Sequence, residues 1–272
     1  AEEEISSFAK KHNIPVIATV MGIGCMHKDD LFYIGATGGL GEGSANNLSR
    51  DTDLALAIGT KLADFTTASW TNFQNENFKL VSVNTSRFDT VKHRAFPVVS
   101  DAKIGLKELS KALGDWKAPN GWYQRAIEEK IKWEDYVAKE SGPTNQELPS
   151  YAHAVGAVYR NSDPSDIVVT AAGGLVGEVV QIWKPKEINT FETEWGFSCM
   201  GYEISGALGI KMAKPDQDVV VFVGDGSYLL QNSDIYSSVL YDKKLIIVVC
   251  DNGGHMVINR LQLAKGGKEY LC

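Results

Sequence analysis

Two short, unbroken apolar runs constrain this chain most: Asp218-Val-Val-Val-Phe-Val223 and Leu245-Ile-Ile-Val-Val249, each followed at once by small and polar residues. A strand with one wet face alternates apolar and polar residues. A continuous β-branched run instead predicts burial on both faces, as in a parallel sheet covered by helices. Comparable runs occur at 14–20, 54–58, 79–83, 96–100 and 167–170, with a weaker one at 188–192. Helical spacing separates them, as for Ile5, Phe8 and Ala9, and over 104–113 and 150–159. The alternation predicts an α/β chain with two doubly wound parallel-sheet domains, over 1–114 and 150–272. Between them, 115–149 reads as a linker. It holds an amphipathic helix over 121–140, carrying Trp122, Tyr123 and Trp133, and then a turn-rich stretch to Pro149. The chain opens on a helix where such a unit usually opens on a strand. Its last strong strand lies some twenty residues from the C-terminus, so both domains are expected to be truncated at the chain ends.

Composition narrows the class. With 272 residues, 44% apolar and 22% charged, the chain is a soluble globular protein large enough for two cores. A formal charge of −7 excludes a nucleic-acid surface, which needs clustered Lys and Arg. No apolar run approaches the roughly 20 residues of a membrane span, and no secretory signal opens the chain. Cys25, Cys199, Cys250 and Cys272 are scattered without a C-x-x-C pair, which argues against a zinc site or disulfide framework and for the cytoplasm.

The chemistry lies where the two strong strands end. One runs into Gly224-Asp225-Gly226-Ser227 and the other into Cys250-Asp251-Asn252-Gly253-Gly254. Ligands of open parallel sheets bind just beyond the carboxyl ends of the strands. Neighbouring strands would bring a carboxylate, a carboxamide and close-approaching backbone to one place. Glycine lets backbone N–H groups reach phosphate oxygens. Magnesium takes oxygen ligands and often joins protein carboxylates to phosphates. Other loops fail on their letters: an EF-hand from Asp225 would need oxygen ligands at Leu229 and Tyr236, and no G-x-x-x-x-G-K-[ST] or G-x-G-x-x-G is present. The cluster Gly35-Ala-Thr-Gly-Gly-Leu-Gly-Glu-Gly43 lacks those spacings and reads as a structural loop. Alone, Gly-Asp-Gly is only a common turn.

Gly224-Asp225-Gly226, 24 further residues (227–250) and Asp251-Asn252 together resemble the signature of thiamine-diphosphate-dependent enzymes. The resemblance implies Mg²⁺ ligands at Asp225, Asn252 and the Gly254 carbonyl; Asp251 stands where the family usually has Asn. Gly196-Phe-Ser-Cys-Met-Gly201 resembles the segment whose bulky apolar residue, here Met200, wedges the cofactor into a V shape. Thr170-Ala-Ala-Gly-Gly-Leu-Val-Gly177 resembles the loop that cradles the diphosphate, with Gly174-Leu175 where the family often has Gln-His. The implied cofactor contacts are Gly173, Gly174, Leu175, Ser198, Met200, Gly224, Gly226, Ser227, Asn252, His255 and Met256. Residues 14–24 and 53–59 resemble the central Rossmann-like domain of the acetolactate-synthase-like superfamily, so 1–114 is expected to be that domain and 150–272 the diphosphate-binding domain. Some relatives hold FAD in the central domain; none is expected here.

Residues 195–209, 232–238 and 250–262 resemble one branch of that superfamily, which opens a cyclic polyhydroxylated diketone of inositol catabolism by C–C hydrolysis. The alternatives are acetolactate-synthase-type acyl transfer, 2-oxo-acid decarboxylation, or a non-catalytic cofactor-binding subunit. The family's activating glutamate belongs to a pyrimidine-binding domain that is not found in this sequence. No catalytic residue is therefore assigned, the isolated chain is expected to be inactive, and a partner subunit in a homo-oligomer (dimer or tetramer) is implied. His12, His27, His93 and His153 read as surface or structural residues. Cys199 reads as a small buried filler, and Glu192 and Glu194 as solvent-exposed carboxylates.

Overall fold

A computed structural model describes residues 2–269. The chain forms two compact units, one through Tyr136 and one from Val137 onward. Every strand pairing in both is parallel. The α/β class with parallel sheets is thus as the apolar runs predict.

In the first unit, helix α1 (Glu2–His12) precedes β1 (Val16–Ala18), which pairs with β2 (Tyr33–Ala36). Helix α2 (Gly43–Asp51) follows, and then a three-stranded sheet of β3 (Leu54–Ile58), β4 (Lys79–Asn84) and β5 (Phe96–Val99) in that order. Short helices α3 (Asp64–Thr67) and α4 (Arg87–Thr90) join those strands, and α5 (Ala102–Leu113) packs against α1. Asp101 caps α5 by accepting the N–H groups of Lys103 and Ile104 at 2.9 and 3.1 Å. His12 is fully buried, its ring nitrogens 2.8 Å from the Trp116 carbonyl and 3.0 Å from Ser110 Oγ, so it is structural. The glycine cluster begins within β2 rather than being all loop. Its Glu42 carboxylate accepts the Ala36 N–H at 2.9 Å, and an added Cβ on Gly35 would lie 2.7 Å from that carboxyl carbon.

Helix α6 (Asn120–Glu140) begins in the first unit, and its aromatic residues pack there. Trp122 joins the core of Ile34, Leu48 and Ala126, Tyr123 stacks on Phe32, and the Trp133 ring covers Gly43.

The second unit carries the two strongest apolar runs as strands. Helix α7 (Tyr151–Asn161) leads into β6 (Ile167–Thr170), α8 (Leu175–Ile182) and β7 (Phe191–Thr193). Then come α9 (Tyr202–Ala213), β8 (Val219–Gly224), α10 (Asp225–Leu230), α11 (Asp234–Leu240), β9 (Ile246–Cys250) and α12 (Met256–Ala264). The strand order is β7-β6-β8-β9. The chain therefore steps one way from β6 to β7, crosses back over β6 to β8 and continues to β9. Right-handed crossovers place α8 and α9 on opposite faces, and the reversal between β6 and β8 is a topological switch point. Val168, Val169, Val219, Val220, Val221 and Phe222 are at most 2% exposed, which explains why these strands read as unbroken apolar runs. Ser150 caps α7 in a reciprocal box with His153, accounting for that histidine. Among the described residues, no helix is long and apolar enough to cross a membrane.

Candidate cofactor-binding site

Register puts the two candidate metal-binding turns side by side. Gly224 is paired with Cys250 at the carboxyl ends of β8 and β9, so Asp225 and Asp251-Asn252 leave adjacent strands together. The Asn252 Nδ2 donates to the Tyr151 hydroxyl. Burial, the neighbouring Cys250 and the Asp225 charge push the Tyr151 phenol above its ordinary pKa, while the Asn252 bond opposes the shift. One phenol at the start of α7 thus touches Asn252 and feels Asp225. With its nitrogen engaged, the Asn252 side chain has its Oδ1 left for a cation. Asp251 instead turns back to accept the Gly253 N–H at 2.9 Å. Its carboxylate shapes the loop, so Asp in place of the usual Asn costs the turn nothing.

Glycines mark where the other segments meet. A Cβ on Gly226 would lie 2.6 Å from His255 Cε1 and 3.5 Å from the Met200 methyl, so these three residues converge. A Cβ on Gly174 would lie 3.8 Å from Val257 Cβ, which brings the β6–α8 loop against the start of α12. Gly201 has φ +91°, and a Cβ there would meet Gln231 Cβ at 2.5 Å. Gly173 and Gly174 are exposed ahead of α8, whose first-turn N–H groups suit an anion. Leu175 is only 3% exposed, so its side chain is closed off from a ligand. Met200 is 37% exposed and Ser198 partly buried, whereas Ser227 is buried. The Gly254 carbonyl accepts the Met256 N–H at 2.9 Å and keeps a second lone pair.

Two acidic residues hold this assembly together, and neither was legible as such. Glu194 accepts the Phe197 and Cys199 N–H groups at 2.9 and 2.7 Å, which lowers its pKa and fixes the loop before Met200. It is not the free carboxylate its sequence context suggested. Cys199 is exposed rather than buried; partial desolvation and the Glu194 charge hold its thiol above the ordinary value. Cys250 is buried, with its pKa pushed up to about 11 by desolvation, and so is a neutral filler. Cys272 lies outside the described residues. Glu203, 1% exposed, accepts the Ala172 N–H at 3.2 Å and the Gly201 N–H at 2.9 Å.

The donor chemistry fits a divalent cation bound with a diphosphate. Asp225, Asn252 and the Gly254 carbonyl are oxygen donors, the set magnesium prefers. Among the described residues, no three His, Cys, Asp or Glu side chains gather to hold a metal, consistent with a set containing a single carboxylate.

Residues 1–109 match the family described as "Thiamine pyrophosphate enzyme, central domain". Residues 171–272 match "Thiamine pyrophosphate enzyme, C-terminal TPP binding domain". The chain belongs to the thiamine pyrophosphate enzymes. Among its relatives, a protein of Lacticaseibacillus casei named 3D-(3,5/4)-trihydroxycyclohexane-1,2-dione hydrolase is 36% identical over 98% of this chain and 45% of its own length. Proteins of the same name from Listeria monocytogenes serotype 4b and Bacillus licheniformis are 37% and 33% identical over 100% of the chain and 46% of their own lengths. The chain therefore spans about half the length of the curated relatives it matches. The cofactor-binding match begins directly after β6 and takes in the ends of β8 and β9.

Proposed function

We propose that this chain is the cofactor-binding part of an enzyme that opens trihydroxycyclohexane-1,2-dione by hydrolysis of a C–C bond, giving 5-deoxy-glucuronic acid, with thiamine diphosphate and Mg²⁺ bound at the ends of β6, β8 and β9. The observation that carries the site is the pairing of Gly224 with Cys250, which sends Asp225 and Asn252 out of neighbouring strands. The names of the relatives, at 33–37% identity over nearly the whole chain, carry the choice of substrate. Bound there, the cofactor would supply a nucleophilic carbon and an electron sink for cleavage of a bond next to a carbonyl.

The chain's own residues do the holding. Asp225, Asn252 and the Gly254 carbonyl hold the cation. Backbone N–H groups at Gly173, Gly174 and the start of α8 bind the diphosphate, while Gly224, Gly226 and Ser227 let it approach closely. Met200 is the wedge beneath the cofactor, beside Ser198, and His255 and Met256 close the site on the α12 side. A small-molecule polyhydroxylated diketone is the substrate. The activating glutamate comes from a pyrimidine-binding domain, in a homo-oligomer working in the reducing cytoplasm. The free Cys25, Cys199 and Cys250 suit that compartment.

Calorimetric titration of the chain with thiamine diphosphate and Mg²⁺ tests the site. Asp225→Ala is expected to weaken binding by on the order of 100-fold or more, since outer-shell partners alone cost about 10–100-fold. Unchanged affinity removes Asp225 from the site. Supplied with the pyrimidine-binding domain, the enzyme is expected to consume the cyclic diketone and not pyruvate. Alone, the chain is expected to show no turnover.

A further inference from the structure

Glu203 is the acidic residue most deeply buried in the second unit, and among the described residues no side-chain cation bonds to its carboxylate. It sits in the first turn of α9 at 1% exposure. Burial pushes its carboxyl pKa up, and the bonds it accepts oppose that shift. Those bonds come from two separate stretches of chain. The Ala172 N–H donates to Oε1 at 3.2 Å and the Gly201 N–H to Oε2 at 2.9 Å. Each donor is a near neighbour in sequence of a residue assigned to the cofactor: Ala172 precedes Gly173 and Gly174, and Gly201 follows Met200. A side chain that only filled space would be apolar here, because an unpaired buried carboxylate is costly. A carboxylate accepts at both oxygens, whereas the isosteric amide of glutamine would turn one NH₂ toward an N–H group.

We propose that Glu203 is a positioning residue: by accepting hydrogen bonds from Ala172 and Gly201 at once, it sets the spacing of two of the loops that grip thiamine diphosphate, the one after β6 and the one before α9. This rests on the cofactor site proposed above. The carboxylate itself does not touch the cofactor; it holds the backbone that does.

The test compares Glu203→Gln with Phe222→Leu, a core change of the same unit outside the binding machinery. Binding of thiamine diphosphate at fixed Mg²⁺ is measured by calorimetry at a temperature where circular dichroism shows both folded. Glu203→Gln is expected to weaken binding at least tenfold, and Phe222→Leu less than twofold. Hydrogen exchange at the Ala172 and Gly201 amides is expected to speed up in Glu203→Gln alone. Affinity within twofold of the unsubstituted chain in Glu203→Gln overturns the proposal. Equal losses in both variants also overturn it, since they would mark a general packing effect. If Glu203→Gln does not fold, Glu203→Asp keeps the charge but falls one methylene short of the two donors. Reduced affinity in that folded variant supports the proposal, and full affinity overturns it. Failure of the unsubstituted chain to bind the cofactor overturns the site itself, a result separable from loss in the variant alone.

Discussion

At Gly226 an added Cβ would sit 2.6 Å from an imidazole carbon, and at Gly201 it would sit 2.5 Å from Gln231 Cβ. The two sites differ in what can yield. The His255 ring is the end of an exposed side chain and can swing, whereas Gln231 Cβ is anchored to its backbone and Gly201 already has φ +91°. Gly226→Ala is therefore expected to change unfolding free energy by less than about 1 kcal/mol. It should still weaken cofactor binding by about tenfold, because the displaced ring moves across the site. Adding His255→Ala should restore most of that loss in a double-mutant cycle. Additive losses in the cycle would mean the ring is not the obstacle. Gly201→Ala should instead cost about 1–3 kcal/mol in urea unfolding, from left-handed backbone strain together with the clash. These glycines stand in motifs legible from sequence, but which neighbour each one admits is set by folding. The same holds for Tyr151 and Glu203. Nothing local to Ser150-Tyr151 or Tyr202-Glu203 reveals that one will reach Asn252 and the other will bind the Ala172 N–H.

Strands written as continuous apolar runs were the most legible elements. β3, β4, β6, β8 and β9 lie within a residue of the runs that predict them, because a continuous β-branched run leaves few alternatives. Burial on both faces holds for β6 and β8 but not for β9, which lies at the end of the strand order and leaves Val249 43% exposed. β2 was not foreseen. Phe32-Tyr-Ile runs straight into Gly35, and a four-residue strand gains its identity from pairing with β1, which its own letters do not encode. β7 lies later than the run at 188–192 suggests, since pairing of Val168 with Phe191 fixes its register. The short α10 and α11 were missed because each is under two and a half turns and is held by its neighbours, as in the bond from Ser205 of α9 to Asp234 of α11. At the centre of the second unit, Phe222 of β8 is fully buried and meets Trp183 edge-on at 5.8 Å. Trp183 in turn meets Tyr159 of α7 edge-on at 5.4 Å. Phe222→Leu leaves part of that aromatic stack unfilled. It is expected to lower stability by about 1–2 kcal/mol without altering cofactor affinity. Loss of affinity matching the loss of stability would mean that β8 packing and the site are one structure.

For the whole chain, a ligand held only by the ends of β6, β8 and β9 stabilises the unit that contains them. Binding to the folded form alone adds about 2.7 kcal/mol at a ligand concentration 100 times its dissociation constant. For a unit of this size that raises the unfolding midpoint by on the order of 10 °C. Phe222→Leu lowers the stability of the same unit through its core. Scanning calorimetry of the full chain is thus expected to show thiamine diphosphate with Mg²⁺ raising the very transition that Phe222→Leu lowers. Asp225→Ala should abolish the rise while leaving the unliganded midpoint nearly in place, because its carboxylate is partly exposed at the end of a strand rather than packed in a core. If the ligand moves a transition that Phe222→Leu leaves untouched, the cofactor is held elsewhere. The paired turns after Gly224 and Cys250 would then be a feature of the sheet alone.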